Sequence, residues 1–475
     1  MIMIKELFIA LFILMALPNK LIAQKESNAY YQPTWESLQN HNAPKWYHDA
    51  KFGIFIHWGL YSVPAWATPI GKPGDFEWEY FYKNNPYAEW YLNTLKIPGS
   101  PTQEYHKKTY GEEFDYYDFI PLFNQAVTNW KPEAMAEQIK ASGAKYVVLT
   151  SKHHDGFTLW PSRVLNYNFP TDQAQVDRDL IGELAKEVRR QNLKMGIYYS
   201  GGLDWSFNKV PVTHLKHVWT GKPQGADYCA YADAHLKELI YNYKPDVLWN
   251  DIGYPKNGDL KTLLANYFFL VPEGTVNNRW DRKPDFNGDF ITPEYSKLDS
   301  ITPFKWETCR GIGFSFGYNQ LESEEEYMSS KKIIELLIDI VSKNGNLLLN
   351  IGPKADGTIP EKQLEALSEV GKWLKTNGEG IYGTQPWKMF GLTLENNTKI
   401  HFTQKENTVY VFVSENIPEK EVKIPFSTKE MIKSIDLLGF SGKTDWKQKG
   451  EDLILQMPER SNKTAALCYK LTLKN

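Results

Sequence analysis

From Trp46 to about Gly383 short apolar runs alternate with amphipathic ones, and this alternation restricts the chain to parallel βα units. Strands are predicted at Gly53 to His57, Tyr146 to Thr150, Lys194 to Tyr199, Val247 to Asp251, Thr275 to Asn277, Phe304 to Glu307 and Leu347 to Ile351. Crossover helices fit between them. Pro132 to Ala141 carries proline in its first turn and stops before Gly143, and in Asp177 to Gln191 the residues Leu180, Leu184 and Val188 recur at helical spacing. No GxGxxG follows a strand, so an α/β fold with a (β/α)8-like TIM barrel fits better than a Rossmann sheet. Barrel enzymes keep their chemistry at the C-terminal tips of the strands. Here those tips carry Asp251, two residues after Trp249, as well as His57 and the run His153-His154-Asp155.

The segment Tyr87 to Phe119, rich in Tyr, Pro and Glu, is inserted after the first strand, where such insertions roof the catalytic face. A further helix is predicted at Glu361 to Thr376, and the pattern changes at Asn377-Gly378-Glu379-Gly380. From roughly Thr393 apolar and polar residues alternate, as in Thr408-Val409-Tyr410-Val411-Phe412-Val413, between Asn, Gly, Ser and Pro turns. This predicts a small C-terminal antiparallel β-sandwich. At the N-terminus Lys5, the apolar residues Leu7 to Leu17 and Ala23 form a secretory-signal pattern, too short for a comfortable membrane span. The expected organisation is therefore a signal peptide over 1–23, a barrel over 24–385 and a sandwich over 386–475. The mature chain is expected to be secreted or periplasmic, with no stable membrane insertion after cleavage.

A net charge of -3, with both signs interspersed, argues against nucleic acid as a partner. Cys229, Cys309 and Cys468 are odd in number and far apart, which indicates neither a disulfide framework nor a thiolate metal site. Aromatic residues make up 14% of the chain. That suits stacking on sugar rings, although large barrels also bury many aromatics and composition alone does not choose.

The motifs are more specific. Thr109-Tyr110-Gly111, Asp115 to Phe119, Gly143 to Thr150, His153-His154-Asp155-Gly156-Phe157, Trp160, Gly196 to Ser200 and Leu248-Trp249-Asn250-Asp251 occur in order. Asn277-Asn278-Arg279-Trp280, Trp306-Glu307, Gly317-Tyr318-Asn319 and Asn344 to Pro353 follow. With this series the chain resembles the α-L-fucosidases of glycoside hydrolase family 29. The resemblance implies an exo-glycosidase that removes terminal L-fucose from fucosylated oligosaccharides or glycoconjugates with retention of configuration, without a cofactor. A catalytically silent fucose-binding protein on the same scaffold is the alternative.

Retaining glycosidases use two carboxyl groups. The resemblance places the nucleophile at Asp251 and the acid/base at Glu294, in Thr292-Pro293-Glu294-Tyr295. Glu307 is the rival acid/base, although a carboxyl on a barrel strand reads better as a buried structural group. His57, His153 and His154 resemble the family's hydroxyl-binding histidines. Together with Asp155 they also resemble a zinc set, but strand alternation should turn His153 and His154 apart, so no metal is called for. Glu89-Trp90 resembles the pair that reaches over the sugar. Tyr199, Trp249, Arg279 and Phe316 fall on positions lining the sugar pocket, with Tyr198 competing with Tyr199 and Arg282 with Arg279. Phe316 would help seat the C6 methyl that separates fucose from galactose.

Overall fold

The computed structural model describes residues 30–71, 74–169, 174–418, 420–426, 431–458 and 464–474. The signal-peptide expectation at 1–23 lies outside the described residues. Seven parallel strands form the main sheet: β1 Phe52–Ile56, β2 Tyr146–Lys152, β3 Lys194–Ser200, β4 Val247–Asp251, β5 Thr275–Val276, β6 Trp306–Gly311 and β7 Gly345–Ile351. They run in the order β5-β4-β3-β2-β1-β7-β6. The gap between β5 and β6 is filled by an irregular stretch in which Phe290 bridges Asn277, Ile291 bridges Trp306 and Glu294 bridges Cys309, all in parallel. Residues 289–295 thus occupy the eighth position and close the barrel, and Glu294 stands at the end of that stretch.

The strands are buried on both faces, as parallel strands covered by helices must be. Their alternation sorts the side chains. Phe55, Tyr146, Val148, Tyr198, Trp249, Cys309 and Leu348 fill one cluster inside the barrel. Ile54, Val147, Ile197, Tyr199, Leu248 and Leu349 face outward and pack in the larger cluster under the helices. The predicted helix Pro132–Ala141 forms with those bounds, its proline at the start where no backbone donor is needed. The next forms as Leu180–Arg190, capped by Asp179, whose carboxylate accepts from the Gly182 amide at 2.9 Å.

Only β6 departs clearly from the predicted strands. It runs from Trp306 to Gly311, whereas Phe304 is 49% exposed and lies outside it. Glu307, Thr308 and Arg310 interrupt its hydropathy and hide the strand.

At the C-terminal end, β8 (Gln385–Thr393), β9 (Thr398–Lys405), β10 (Thr408–Glu415), β11 (Glu421–Pro425), β12 (Ile432–Leu437), β13 (Trp446–Lys449), β14 (Asp452–Gln456) and β15 (Ala466–Leu473) form two antiparallel sheets. Their orders are β12-β15-β10-β9-β8 and β11-β14-β13. Val409, Val411, Val413 and Leu471 pack toward Ile424, Leu453 and Leu455 between the sheets. Tyr410, Phe412, Ala466 and Cys468 point the other way and join the barrel core. The Trp373 indole adds a hydrogen bond to the Ala466 carbonyl at 2.9 Å. Among the described residues no helix is long and apolar enough to cross a membrane.

The barrel interior leaves little slack. A β-carbon on Gly53 would lie 2.4 Å from Cζ of the Tyr146 ring, on the neighbouring strand β2. Gly53→Ala is expected to destabilise the protein by about 1–3 kcal/mol through overpacking. A thermal melt checks this, and an unchanged midpoint would contradict the packing described.

Candidate active site

At the C-terminal ends of the strands lies a cavity of about 230 Å³. Asp251 enters it from the tip of β4. Just beyond, Ile252 (φ 56°) and Gly253 (φ 94°) turn the chain sharply away. Asn250, on the opposite face of the strand, fixes this turn by donating to the carbonyls of Gly253 and Arg279, both at 2.8 Å.

Arg279 connects the two candidate catalytic carboxylates. Its Nη1 donates to Asp251 Oδ1 at 2.9 Å and to Glu294 Oε2 at 3.1 Å, and Nη2 reaches the same Glu294 oxygen at 3.1 Å. Nε binds the Thr292 hydroxyl at 2.9 Å, and the guanidinium lies 4.7 Å over the Trp249 ring. The Tyr198 hydroxyl donates to the other Asp251 oxygen at 2.9 Å, and His154 Nε2 lies 3.9 Å from it.

The two carboxyls respond in opposite directions. Burial tends to raise the Asp251 pKa, but Arg279, His154 and Tyr198 overcome it and hold the group below its ordinary value. For Glu294 the loss of surrounding water is the leading influence and raises the pKa. The Asp251 charge adds to this rise, while Arg279 opposes it without cancelling it. Glu294 sits at the cavity mouth, with 37% of its side chain accessible.

The histidines are neutral in this setting. Burial lowers His57 to about 4 and His154 to about 3, and takes His153 well below its usual value. His57 Nδ1 pairs with Asn350 Oδ1 at 2.7 Å and His154 Nδ1 with Ser200 Oγ at 2.6 Å. His153 Nδ1 is buried without a hydrogen-bond partner. Contrary to the alternation argument, His153 and His154 both line the cavity. β2 ends at Lys152, and in the turn that follows their rings lie 4.0 Å apart.

The roof supplies Glu89 and Trp90. The hydroxyls of Tyr116 and Tyr117 tie it to Asp155, through a carboxylate oxygen at 2.8 Å and the backbone carbonyl at 2.9 Å. Asp155 therefore serves the roof rather than the histidine group. Glu89 accepts from the Gly317 amide at 2.8 Å, and burial raises its pKa to about 7 against that hydrogen bond. Trp90 meets the His154 ring edge to face at 5.4 Å. Phe316 packs 4.8 Å from the His57 ring.

One expected pocket residue is misplaced. Tyr199 faces out of the barrel, its hydroxyl 3.3 Å from His235 Nδ1 and the Lys152 ammonium 4.7 Å over its ring. The pocket tyrosine is Tyr198, because β3 alternation sends adjacent residues to opposite faces. Arg282 binds the carbonyls of Tyr254 and Pro255 in a loop, which leaves the clamp to Arg279. Glu307 is wholly buried below the cavity and accepts from Tyr47 at 2.7 Å and Trp249 Nε1 at 3.0 Å, and from Tyr146. Its structural reading fits these bonds.

Sequence reasoning missed Phe55, Phe81, Tyr82 and Cys309 as lining residues. Phe55 had a signal, since it shares a strand face with His57, and Phe81 and Tyr82 belong to an aromatic-rich helix, Trp78–Lys83. Cys309 depends on where β6 ends and had none.

The family model described as Alpha-L-fucosidase matches residues 19–379. The α-L-fucosidase of Dictyostelium discoideum is 36% identical, over 88% of this chain and 87% of that one. Human tissue α-L-fucosidase is 34% identical, over 90% and 88% of the two chains. Among solved structures, that of Thermotoga maritima α-fucosidase in complex with a mechanism-based inhibitor superposes with a TM-score of 0.85 at 42% identity, covering 93% of this chain and all of the other.

Glu307→Ala would leave the Tyr47, Tyr146 and Trp249 donors without an acceptor and should cost about 3 kcal/mol or more of stability. Glu307→Gln, which keeps an acceptor oxygen, should cost clearly less. Denaturant titration of both variants checks the ordering, and equal stability of Glu307→Ala and the parent would contradict the structural role.

Proposed function

The chain belongs to the α-L-fucosidase family of glycoside hydrolases, and on that premise we propose that it is a retaining exo-α-L-fucosidase with Asp251 as nucleophile and Glu294 as acid/base. The observation that carries the assignment is the Arg279 bridge, beside which one carboxyl is kept ionised and the other is disposed to hold its proton. Asp251 Oδ1 and Glu294 Oε2 lie 2.9 and 3.1 Å from the same nitrogen, so they are no farther apart than the sum of these lengths. That bound favours the retaining separation of about 5–5.5 Å over the wider inverting one of about 6.5–9.5 Å.

In this reading Asp251 attacks the anomeric carbon while Glu294 gives its proton to the departing glycosidic oxygen. The C–O bond breaks, leaving fucose esterified to Asp251 with inverted configuration. Glu294, now a carboxylate, takes a proton from water, whose oxygen attacks the same carbon and releases Asp251. The second inversion restores the original configuration.

Neutral His57, His153 and His154 can each donate to or accept from sugar hydroxyls without adding charge, and the unpartnered His153 nitrogen suits that role. A cavity of about 230 Å³ holds a single monosaccharide, which supports removal of terminal residues. Phe316 offers an apolar seat for the C6 methyl, a contact of about 1–3 kcal/mol, so hydroxyl geometry must supply the rest of the selectivity. Two facing carboxyls at the catalytic positions disfavour the silent binding protein.

Asp251→Ala should abolish hydrolysis of p-nitrophenyl α-L-fucoside. Glu294→Ala should lower kcat/KM on a fucosyl disaccharide by about 10²- to 10⁴-fold, and far less on α-L-fucosyl fluoride, whose leaving group needs no proton. Equal losses on both substrates, or this pattern in Glu307→Gln instead, would overturn the assignment. The enzyme is also read as exported, on the strength of its charged and apolar N-terminal pattern. N-terminal sequencing of protein recovered outside the cytoplasm should begin at Gln24, and an intact Met1 there would contradict it.

A further inference from the structure

Beside the sugar pocket lies a second cavity of about 560 Å³, which shares Asp251, Arg279 and Glu294 with it. If Glu294 protonates the glycosidic oxygen, the group carried on that oxygen must lie in this adjoining space. Its wall includes the short helix Leu215–Thr220. That helix turns Val218 inward, at 6% exposure, and leaves Trp219 at the cavity rim with 55% of its surface exposed.

The exposure of Trp219 does not come from a loose side chain. The Lys222 ammonium sits 4.2 Å over its ring and pairs with Asp281 at 2.5 Å, on the loop after β5. The Lys222 side chain is itself only 8% exposed. A cation is therefore held against the indole and tied to a second element, which fixes the ring while more than half of its surface stays exposed. The cavity lining carries both signs: Asp281 and Lys283 lie on one loop, and Arg279 lies between Asp251 and Glu294. This arrangement offers no cationic cluster for an acidic saccharide and suits a neutral one, whose hydroxyls meet the polar side and whose C–H face meets the indole.

We propose that Trp219 is the stacking platform for a neutral hexopyranose on the leaving-group side of the scissile bond, with the Lys222–Asp281 pair as its positioning device. Trp219 is thus a specificity-determining residue for the glycan beyond fucose. The proposal rests on the fucosidase reading above.

The test compares the full chain with Trp219→Ala, Trp219→Phe and Lys222→Met on α-L-fucosyl fluoride, which has no leaving-group ring, and on a panel of fucosyl disaccharides. The panel is (1→2)-linked to galactose and (1→3)-, (1→4)- and (1→6)-linked to N-acetylglucosamine. For the disaccharide that the parent cleaves best, the ratio of its kcat/KM to that for the fluoride should fall about 10-fold in Trp219→Ala, mostly through KM, the size of one lost aromatic contact. Trp219→Phe should recover part of the ratio, and Lys222→Met should fall between the parent and Trp219→Ala. An unchanged ratio in Trp219→Ala overturns the platform, whether or not overall rates drop. So does a parent that cleaves the fluoride but no disaccharide. A parent that cleaves neither substrate overturns the fucosidase reading itself, and the platform with it.

Discussion

The Arg279 guanidinium between Asp251 and Glu294 is the contact on which the rest of the site depends. Its partners come from separate parts of the chain: Asp251 from the tip of β4, Glu294 and Thr292 from the stretch that fills the eighth barrel position, and Trp249 from inside the barrel. Closing the barrel and assembling the candidate catalytic pair are therefore one structural event. A cation held largely out of water is tolerated only with its counter-charges in place, so displacing either carboxylate leaves an uncompensated charge. The same cation keeps Asp251 ionised against the pull of burial, and leaves Glu294 above its ordinary value despite its presence.

Below this layer the barrel interior is itself polar at one point. Glu307 collects Tyr47, Tyr146 and Trp249, and through Trp249 it fixes the ring on which Arg279 rests. Above it, the histidines are kept neutral by burial, and Asn350 and Ser200 orient His57 and His154. The site thus has an oriented floor, a charged middle and a roof tied down through Asp155. Each layer restricts the rotamers of the next, which is how such a site holds its geometry without the substrate.

Much of this was legible in the sequence because buried parallel strands write continuous apolar runs. β1, β2, β4 and β7 stood out for that reason, and so did the polar tips at His57 and Asp251. Where polarity breaks the run the signal fades, as in β6, whose Glu307 and Arg310 shifted the predicted strand toward Phe304. Tyr199 shows a second limit. Composition and motif point equally to Tyr198 and Tyr199, and only the strand's facing in the sheet decides between them. His153 and His154 show a third, since alternation ends with the strand and the turn beyond Lys152 follows other rules. The eighth barrel position was invisible because residues 289–295 pair only by isolated bridges. The contacts of Lys222 with Trp219 and Asp281 join segments whose approach no local pattern records.

In the proposed reaction Asp251 is the carboxylate that bonds to the sugar. Treating the protein with 2-deoxy-2-fluoro-α-L-fucosyl fluoride, which should slow turnover of the proposed covalent intermediate, and mapping the modified peptide by mass spectrometry tests this. One fluorofucosyl group is expected, on Asp251. Labelling at Glu294 or Glu307, or slow turnover with no covalent adduct, would contradict it.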